Sequence, residues 1–201
     1  MARVDERTRI EHRKRLLDAA ASEFAAKGLD GARVDDISIA AGLAKGTIYN
    51  YFDSKRDVFR AVVAEWARRI GGERRTLPPE APVREHLLAV ASADMRVTAE
   101  IEEFARAAFR EALTAPPDLF AEILRAWDPL DAVVERIMER AQSAGEVGLE
   151  RTPRELAKLF MTVVNGLLLE RWLPKSTVGL DDIPELAVDL YLHGVSAGSR
   201  S

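Results

Sequence analysis

The sequence predicts an all-α fold of about nine helices, with a three-helix N-terminal unit of helix-turn-helix pattern and a larger helical C-terminal unit. Three observations predict it. Ala, Leu, Glu and Arg dominate, and no stretch alternates β-branched and polar residues as a strand would. Apolar residues recur at three- and four-residue spacing along most of the chain. Gly and Pro fall between these periodic stretches, where helices should start and stop.

In chain order, the first helix should run from Thr8 to Lys27, with Leu16, Leu17, Ala20 and Phe24 on one face and Gly28 at its C-cap. A short second helix spans Val34 to Ala41, with Asp35 and Asp36 favourable in its first turn. Gly42 breaks it, and Ala44 to Phe52 should form a third. A fourth begins near Ser54 and buries Val58, Phe59, Val62, Val63, Trp66 and Ile70. Residues 71–82, GGERRTLPPEAP, read as a loop that cannot be helical. Helical spacing resumes from Val83 to Thr114 with a break near residue 99, and Pro116, Pro117 and Pro129 punctuate the chain beyond it. The next helix runs to Gln142 and ends at the turn from Gly145 to Gly148. Thr152-Pro153 with Glu155 marks a strong helix start, and Pro174 stops that helix after Leu173. A last helix covers Asp182 to Val195, and the tail SAGSRS should be disordered.

Charge is uneven along the chain. Residues 1–60 carry 12 basic and 10 acidic side chains, net +2, within a protein whose formal charge is −4. The first 15 residues hold six basic side chains against three acidic ones. A basic arm on an acidic body points to a polyanion at one end only. The absence of cysteine excludes disulfides and thiolate chemistry. No apolar run reaches the roughly 18 residues of a membrane span, and the basic start leads into no signal-peptide core. A soluble, cytoplasmic protein that does not engage membranes is the expectation.

The three histidines, His12, His86 and His193, are scattered with no second ligand at metal spacing. There is no glycine-rich phosphate loop and no nucleophile elbow. Neither a catalytic site, a metal site nor a cofactor is therefore expected.

The informative stretch is residues 34–55, VDDISIAAGLAKGTIYNYFDSK. Two short helices joined by a glycine turn cannot bury a face alone, so a third must cross them. Ile37, Ala41, Leu43, Ile48 and Phe52 would join Leu17 and Phe24 in a small core. With Ile48 inward, a helical wheel leaves Gly46, Thr47, Tyr49 and Asn50 outward. A solvated helix face normally carries Glu, Lys and Arg. Thr and Asn can instead read base edges, Tyr can reach phosphate, and Lys45 and Lys55 suit the flanking backbone.

This stretch resembles the N-terminal DNA-binding domain of the TetR family of bacterial transcriptional regulators. AAGLAKGTIYNYFDSK, residues 40–55, carries the likeness, between a helix ending FAAKG and one beginning DVFRAV. The resemblance implies that Arg33, Lys45, Gly46, Thr47, Tyr49, Asn50, Tyr51 and Lys55 face DNA. It implies a DNA-binding domain at 1–53 and a ligand-binding and dimerisation domain at 54–201. Arg33 stands where the family commonly has Ser or Thr, so Asp35 should take over capping of the second helix. Ala44 stands where Ser is frequent.

The segment LAKLFMTVVNGLLLERWL is apolar nearly all round. One face (Leu156, Phe160, Val163, Leu167) should meet its own subunit. The other (Leu159, Met161, Val164, Leu168, Trp172) then needs a second copy, with Gly166 allowing close approach and Leu186 and Leu190 alongside. A homodimer whose recognition helices lie about 34 Å apart reads a palindromic double-stranded operator. The resemblance further implies a cavity for a small, apolar effector, with Trp66, Phe104, Phe109, Trp127, Met138, Met161 and Asn165 as candidate lining. The expected function is a sequence-specific transcriptional regulator, a repressor released by its ligand. The alternative is a dimeric helical sensor or partner-binding protein without specific DNA binding.

Overall fold

The computed structural model describes residues 5–74 and 76–195. Arg3 of the basic arm and the tail from Ser196 lie outside the described residues. Among those residues the secondary structure is helix throughout, with no strand. The helices are α1 (Glu6–Gly31), α2 (Val34–Ala40), α3 (Lys55–Glu73), α4 (Val83–Glu100), α5 (Glu102–Thr114), α6 (Pro117–Arg125), α7 (Asp128–Ser143), α8 (Pro153–Arg171) and α9 (Ile183–Val195). Short 3-10 helices occupy Thr47–Asn50 and Leu180–Asp182.

Packing divides the chain into two units. The first runs to Trp66 and takes in Ile101–Ala126; the second is Ala67–Glu100 with the chain from Trp127 onward. The first packed unit runs past the division expected at residues 53 and 54, for an aromatic reason. Phe24 of α1 meets Phe59 of α3 edge-on at 5.2 Å between ring centroids. Phe59 in turn meets Phe104 of α5 at 5.7 Å, and Phe104 meets Trp66 at 6.5 Å. Offset and edge-on arrangements of this kind are the favoured ones for aromatic rings. Arg56 and Arg60 of α3 pair with Asp118 and Glu122 of α6, tying α6 into the same unit.

In the second unit α4, α7, α8 and α9 pack on one another. Leu87, Val90, Val134, Met138, Phe160, Val164 and Val188 are fully buried between them. The Tyr191 ring sits edge-on to Phe160 at 5.3 Å, and its hydroxyl donates to the Leu156 carbonyl at 2.8 Å. Burial raises that phenol above its ordinary range, so it stays a donor at any physiological pH.

Helix ends follow the sequence signals with two exceptions. Thr152 and Glu155 form a reciprocal capping box at α8, and Glu155 is held below the usual carboxylate range by the Thr152 backbone N–H and hydroxyl. Thr152→Ala should cost about 1 kcal/mol in a urea titration. The break expected near residue 99 falls at Ile101, whose backbone leaves the helical region. The first exception is the loop expected at 71–82: α3 continues through Gly71 and Gly72 to Glu73. Arg69 pairs with Glu73 one turn on, and Arg96 donates to the Glu73 carbonyl, so tertiary contacts offset the two glycines. The second exception is the helix expected over Ala44 to Phe52, of which only the short 3-10 helix at Thr47–Asn50 forms.

The expected assignment of α8 faces needs correction. Leu156, Phe160, Val164 and Leu168, spaced by four, are buried within the unit together with Ala157 and Met161. Val164 and Leu168 therefore belong to the subunit's own core. Val163, Leu167 and Trp172 are half-buried, while Leu159 (40% exposed), Gly166, Leu186 (41%) and Leu190 (59%) remain open. The reason is that α8 packs on both α7 and α9, so two of its faces are covered from within.

Candidate nucleic-acid interface

The helix-turn-helix is built on α1. Leu16, Leu17, Ala20 and Phe24 form its buried stripe, and the backbone leaves the helical conformation at Gly28. Ile37, Ser38 and Ala41 of the second helix and Ile48 and Phe52 of the following segment close over it. The turn between them depends on Gly42, at φ +67°. A side chain there would be strained, and its Cβ would stand 2.5 Å from the Arg15 guanidinium. Arg15 itself donates to the carbonyls of Ala41 and Gly42. One of the six basic residues of the N-terminal arm thus clasps the turn and holds α1 to α2.

The expected α-helix over Ala44 to Phe52 is absent. Only Thr47–Asn50 is helical, and it is 3-10. Gly46 in the left-handed conformation (φ +80°) interrupts the backbone immediately before it. The Thr47 N–H returns to the Ala44 carbonyl, the Tyr49 N–H to Gly46, and the Tyr51 N–H to Ile48. A wheel drawn at 100° per residue therefore does not describe this segment. Gly46 is required by its dihedral, not by crowding, since a Cβ there would meet no atom within 4 Å.

The contacts that orient the segment are buried. Ile48 has no exposed surface, and its N–H donates to the Ser38 hydroxyl at 3.2 Å inside the core. Ser38 was not evident as a site residue in the sequence. Its only signal is a small polar residue between two apolar positions of a short helix. Ser38→Ala leaves a buried N–H without a partner, at about 1–3 kcal/mol. It should lower stability in equilibrium unfolding and weaken operator binding in a gel shift together.

With Ile48 held inward, Tyr49 (57% exposed) and Asn50 point to solvent. Lys45 is exposed and pairs with Asp35 at 3.2 Å. Gly46 and Thr47 are half-buried. The Tyr51 hydroxyl lies 3.3 Å from His12 Nδ1, which couples it to α1. Arg13 sits over the Phe52 ring, 5.5 Å from its centroid. Arg33 is exposed and makes no capping bond, and the carboxylate of Asp35, expected to take over the cap, pairs with Lys45. Lys55 differs from the expectation of a phosphate contact: its ammonium donates to the carbonyls of Asp30 (2.8 Å) and Ala32 (3.2 Å). It satisfies the backbone where α1 ends.

The residues named for an effector cavity divide between the units. Trp66, Phe104 and Phe109 belong to the first; Trp127, Met138, Met161 and Asn165 belong to the second. Trp66 and Phe104 pack against each other, and Met138 is fully buried beside the Tyr191 hydroxyl. Phe109, Trp127 and Asn165 are half-buried. Among the described residues no group of three His, Asp or Glu could hold a metal ion, and no helix is long and apolar enough to cross a membrane.

Residues 16–62 match the family described as bacterial regulatory proteins, tetR family. Over 172 residues the chain is 26% identical to the HTH-type transcriptional regulator SrpR of Pseudomonas putida, covering 85% of this chain and 79% of that protein. Over 194 residues it is 24% identical to the HTH-type transcriptional repressor KstR2 of Rhodococcus jostii, covering 92% and 91%. In three dimensions it is similar to the transcriptional regulator FadR from Bacillus subtilis, solved in complex with stearoyl-CoA. That superposition has a TM-score of 0.77 at 20% identity and covers 90% of this chain and 98% of the other.

Proposed function

The chain belongs to the TetR family of bacterial transcriptional regulators, and on that footing we propose that it is a homodimeric repressor of a palindromic operator, released by a small apolar effector. The observation that carries the reading is the outward pair Tyr49 and Asn50, fixed by Ile48 and Ser38 beneath them. An exposed aromatic ring and an amide beside a single lysine make a poor solvated surface and a good groove-reading one. Thr47 and Lys45 complete the base- and phosphate-facing edge, Arg33 lies at the flank, and Tyr51 is positioned through His12. Lys55 contributes through the backbone that it holds.

The open apolar residues Leu159, Leu186 and Leu190, with Gly166, support a two-fold interface formed by α8 and α9 with a second copy. A two-fold pair of recognition segments reads two half-sites about one helical turn apart. Leu190→Glu places a charge in that face. It should convert the dimer to a monomer in sedimentation velocity and remove cooperative operator binding.

Selection of bound sequences from random DNA, followed by gel shifts, tests the reading. A palindrome should emerge, and the logarithm of affinity should fall by about 0.9 per phosphate neutralised as the logarithm of salt concentration rises. Recovery of no preferred sequence would favour the sensor without specific DNA binding. By linkage, an effector releases DNA only through its preference for a conformation that binds DNA poorly. The stearoyl-CoA bound by the FadR neighbour makes long-chain acyl thioesters the first effectors to test.

A further inference from the structure

His86 and Arg140 of the second unit meet where the chain passes from the end of α3 to the start of α4. Arg140 of α7 donates through Nη1 to the Pro79 carbonyl and to His86 Nε2 at 2.5 Å. His86, on the first turns of α4, is buried, and its Nε2 also lies 3.2 Å from the Pro78 carbonyl. Arg74, just past α3, acts electrostatically on the same imidazole.

Arg140 Nη2 and Arg74 Nε are both buried, and neither has a hydrogen-bond partner among the described residues. Buried guanidinium nitrogens are among the most costly groups to leave unpaired. Glu146 also acts on His86, and its Oε2 is engaged by the Val83 N–H at 2.7 Å, at the start of α4. Burial and the Arg140 charge, with a contribution from Arg74, hold the His86 imidazole below its ordinary range, so the ring is neutral and accepts from Arg140.

We infer that Arg74, His86 and Arg140 form a binding site for an oxyanion, a phosphate or carboxylate group carried by a small molecule. Two unpaired guanidinium nitrogens suit oxyanion lone pairs, and charge-assisted bonds of this kind are the strong ones. Both nitrogens lie below the surface, so a compact group suits them better than a nucleic-acid backbone or a protein surface. The occupied site would join the end of α3, the start of α4 and α7, and would hold the 76–82 segment, through Pro79, against α7. The inference stands independently of operator binding, since none of its residues lies in the DNA-binding unit.

Thermal melting of the full-length protein in inorganic phosphate or in acetate, at constant ionic strength, tests it. Phosphate, acetate or both should raise the melting temperature saturably in the millimolar range, and the more effective probe identifies the oxyanion class. Arg74→Gln removes no hydrogen bond seen in the structure, so it should melt like the wild type without the anion and require at least about tenfold more to be stabilised. Arg140→Gln should show the same loss of response even if its starting melting temperature is lower. Lys45→Gln, in the DNA-binding unit, should respond as the wild type does. Equal stabilisation of wild type and Arg74→Gln, or no response of the wild type to either anion, would overturn the site.

Discussion

Tyr49→Ala should strongly weaken specific DNA binding while leaving the protein folded. The ring is 57% exposed, so its removal opens no cavity and leaves no buried partner unsatisfied. Loss of a specific base or groove contact costs about 1–3 kcal/mol. A two-fold dimer loses that contact twice, which places the expected decrease in affinity at roughly 30-fold or more. Non-specific binding should survive, because Lys45 and the basic residues of α1 remain. Gel shifts with the selected palindrome and with random DNA separate the two effects, and circular dichroism checks the fold. Wild-type affinity in the variant would refute the proposed docking of this segment on DNA.

Asp94→Asn should make the protein more stable at neutral pH and change how stability depends on pH. Asp94 lies on α4 with 2% of its surface exposed, and the Thr98 hydroxyl donates to its carboxylate at 3.1 Å. Burial pushes the carboxyl up to about 7, against a smaller opposing effect of the Thr98 bond. The native protein therefore keeps this proton up to about pH 7, whereas the unfolded chain releases it near the ordinary value of 3.8. Between those limits the folded state binds more protons, so stability falls as pH rises and levels off above about pH 7. At about 1.4 kcal/mol per pH unit, the cost accumulates to roughly 4 kcal/mol. Asn keeps the shape and accepts the Thr98 bond without ionising. Urea unfolding of both proteins from pH 5 to pH 8 should give curves that diverge in favour of Asn as pH rises. Parallel curves would show that Asp94 is not destabilised in the native state.

The two substitutions also mark how far the sequence could be read. The helix-turn-helix was legible because local rules act on it within a short span. Gly28 ends the first helix, Gly42 makes the turn, and the spacing of Ile37, Ala41, Ile48 and Phe52 marks the buried side. Helix starts such as Thr152-Pro153 were legible for the same reason. Helical periodicity does not report a glycine's dihedral, so it does not reveal the form of residues 44–52. With Gly46 at φ +80°, four residues of 3-10 helix replace the longer α-helix expected there. Tyr49 and Asn50 still end outward, because burial of Ile48 and its bond to Ser38 decide the orientation.

Lys55 and Arg15 illustrate a different gap. Each is a cation in a basic context, which by sequence suits phosphate. Each is instead occupied by backbone carbonyls that close in space. The faces of α8 show the same gap for apolar residues. An all-round apolar helix must be covered, but pattern alone does not say by whom. Packing of both α7 and α9 on α8 turned Val164 and Leu168 into the subunit's own core.

By itself, then, the sequence determined the all-helical class, the position of the turn and the low-charge chemistry of residues 46–50. These depend on backbone propensity and on residues a few positions apart. Only the tertiary structure decided which cations the backbone occupies, which apolar faces stay open, and that Asp94 and His86 are withdrawn from water. Those properties depend on desolvation by distant segments, and no local periodicity encodes which segment will supply it.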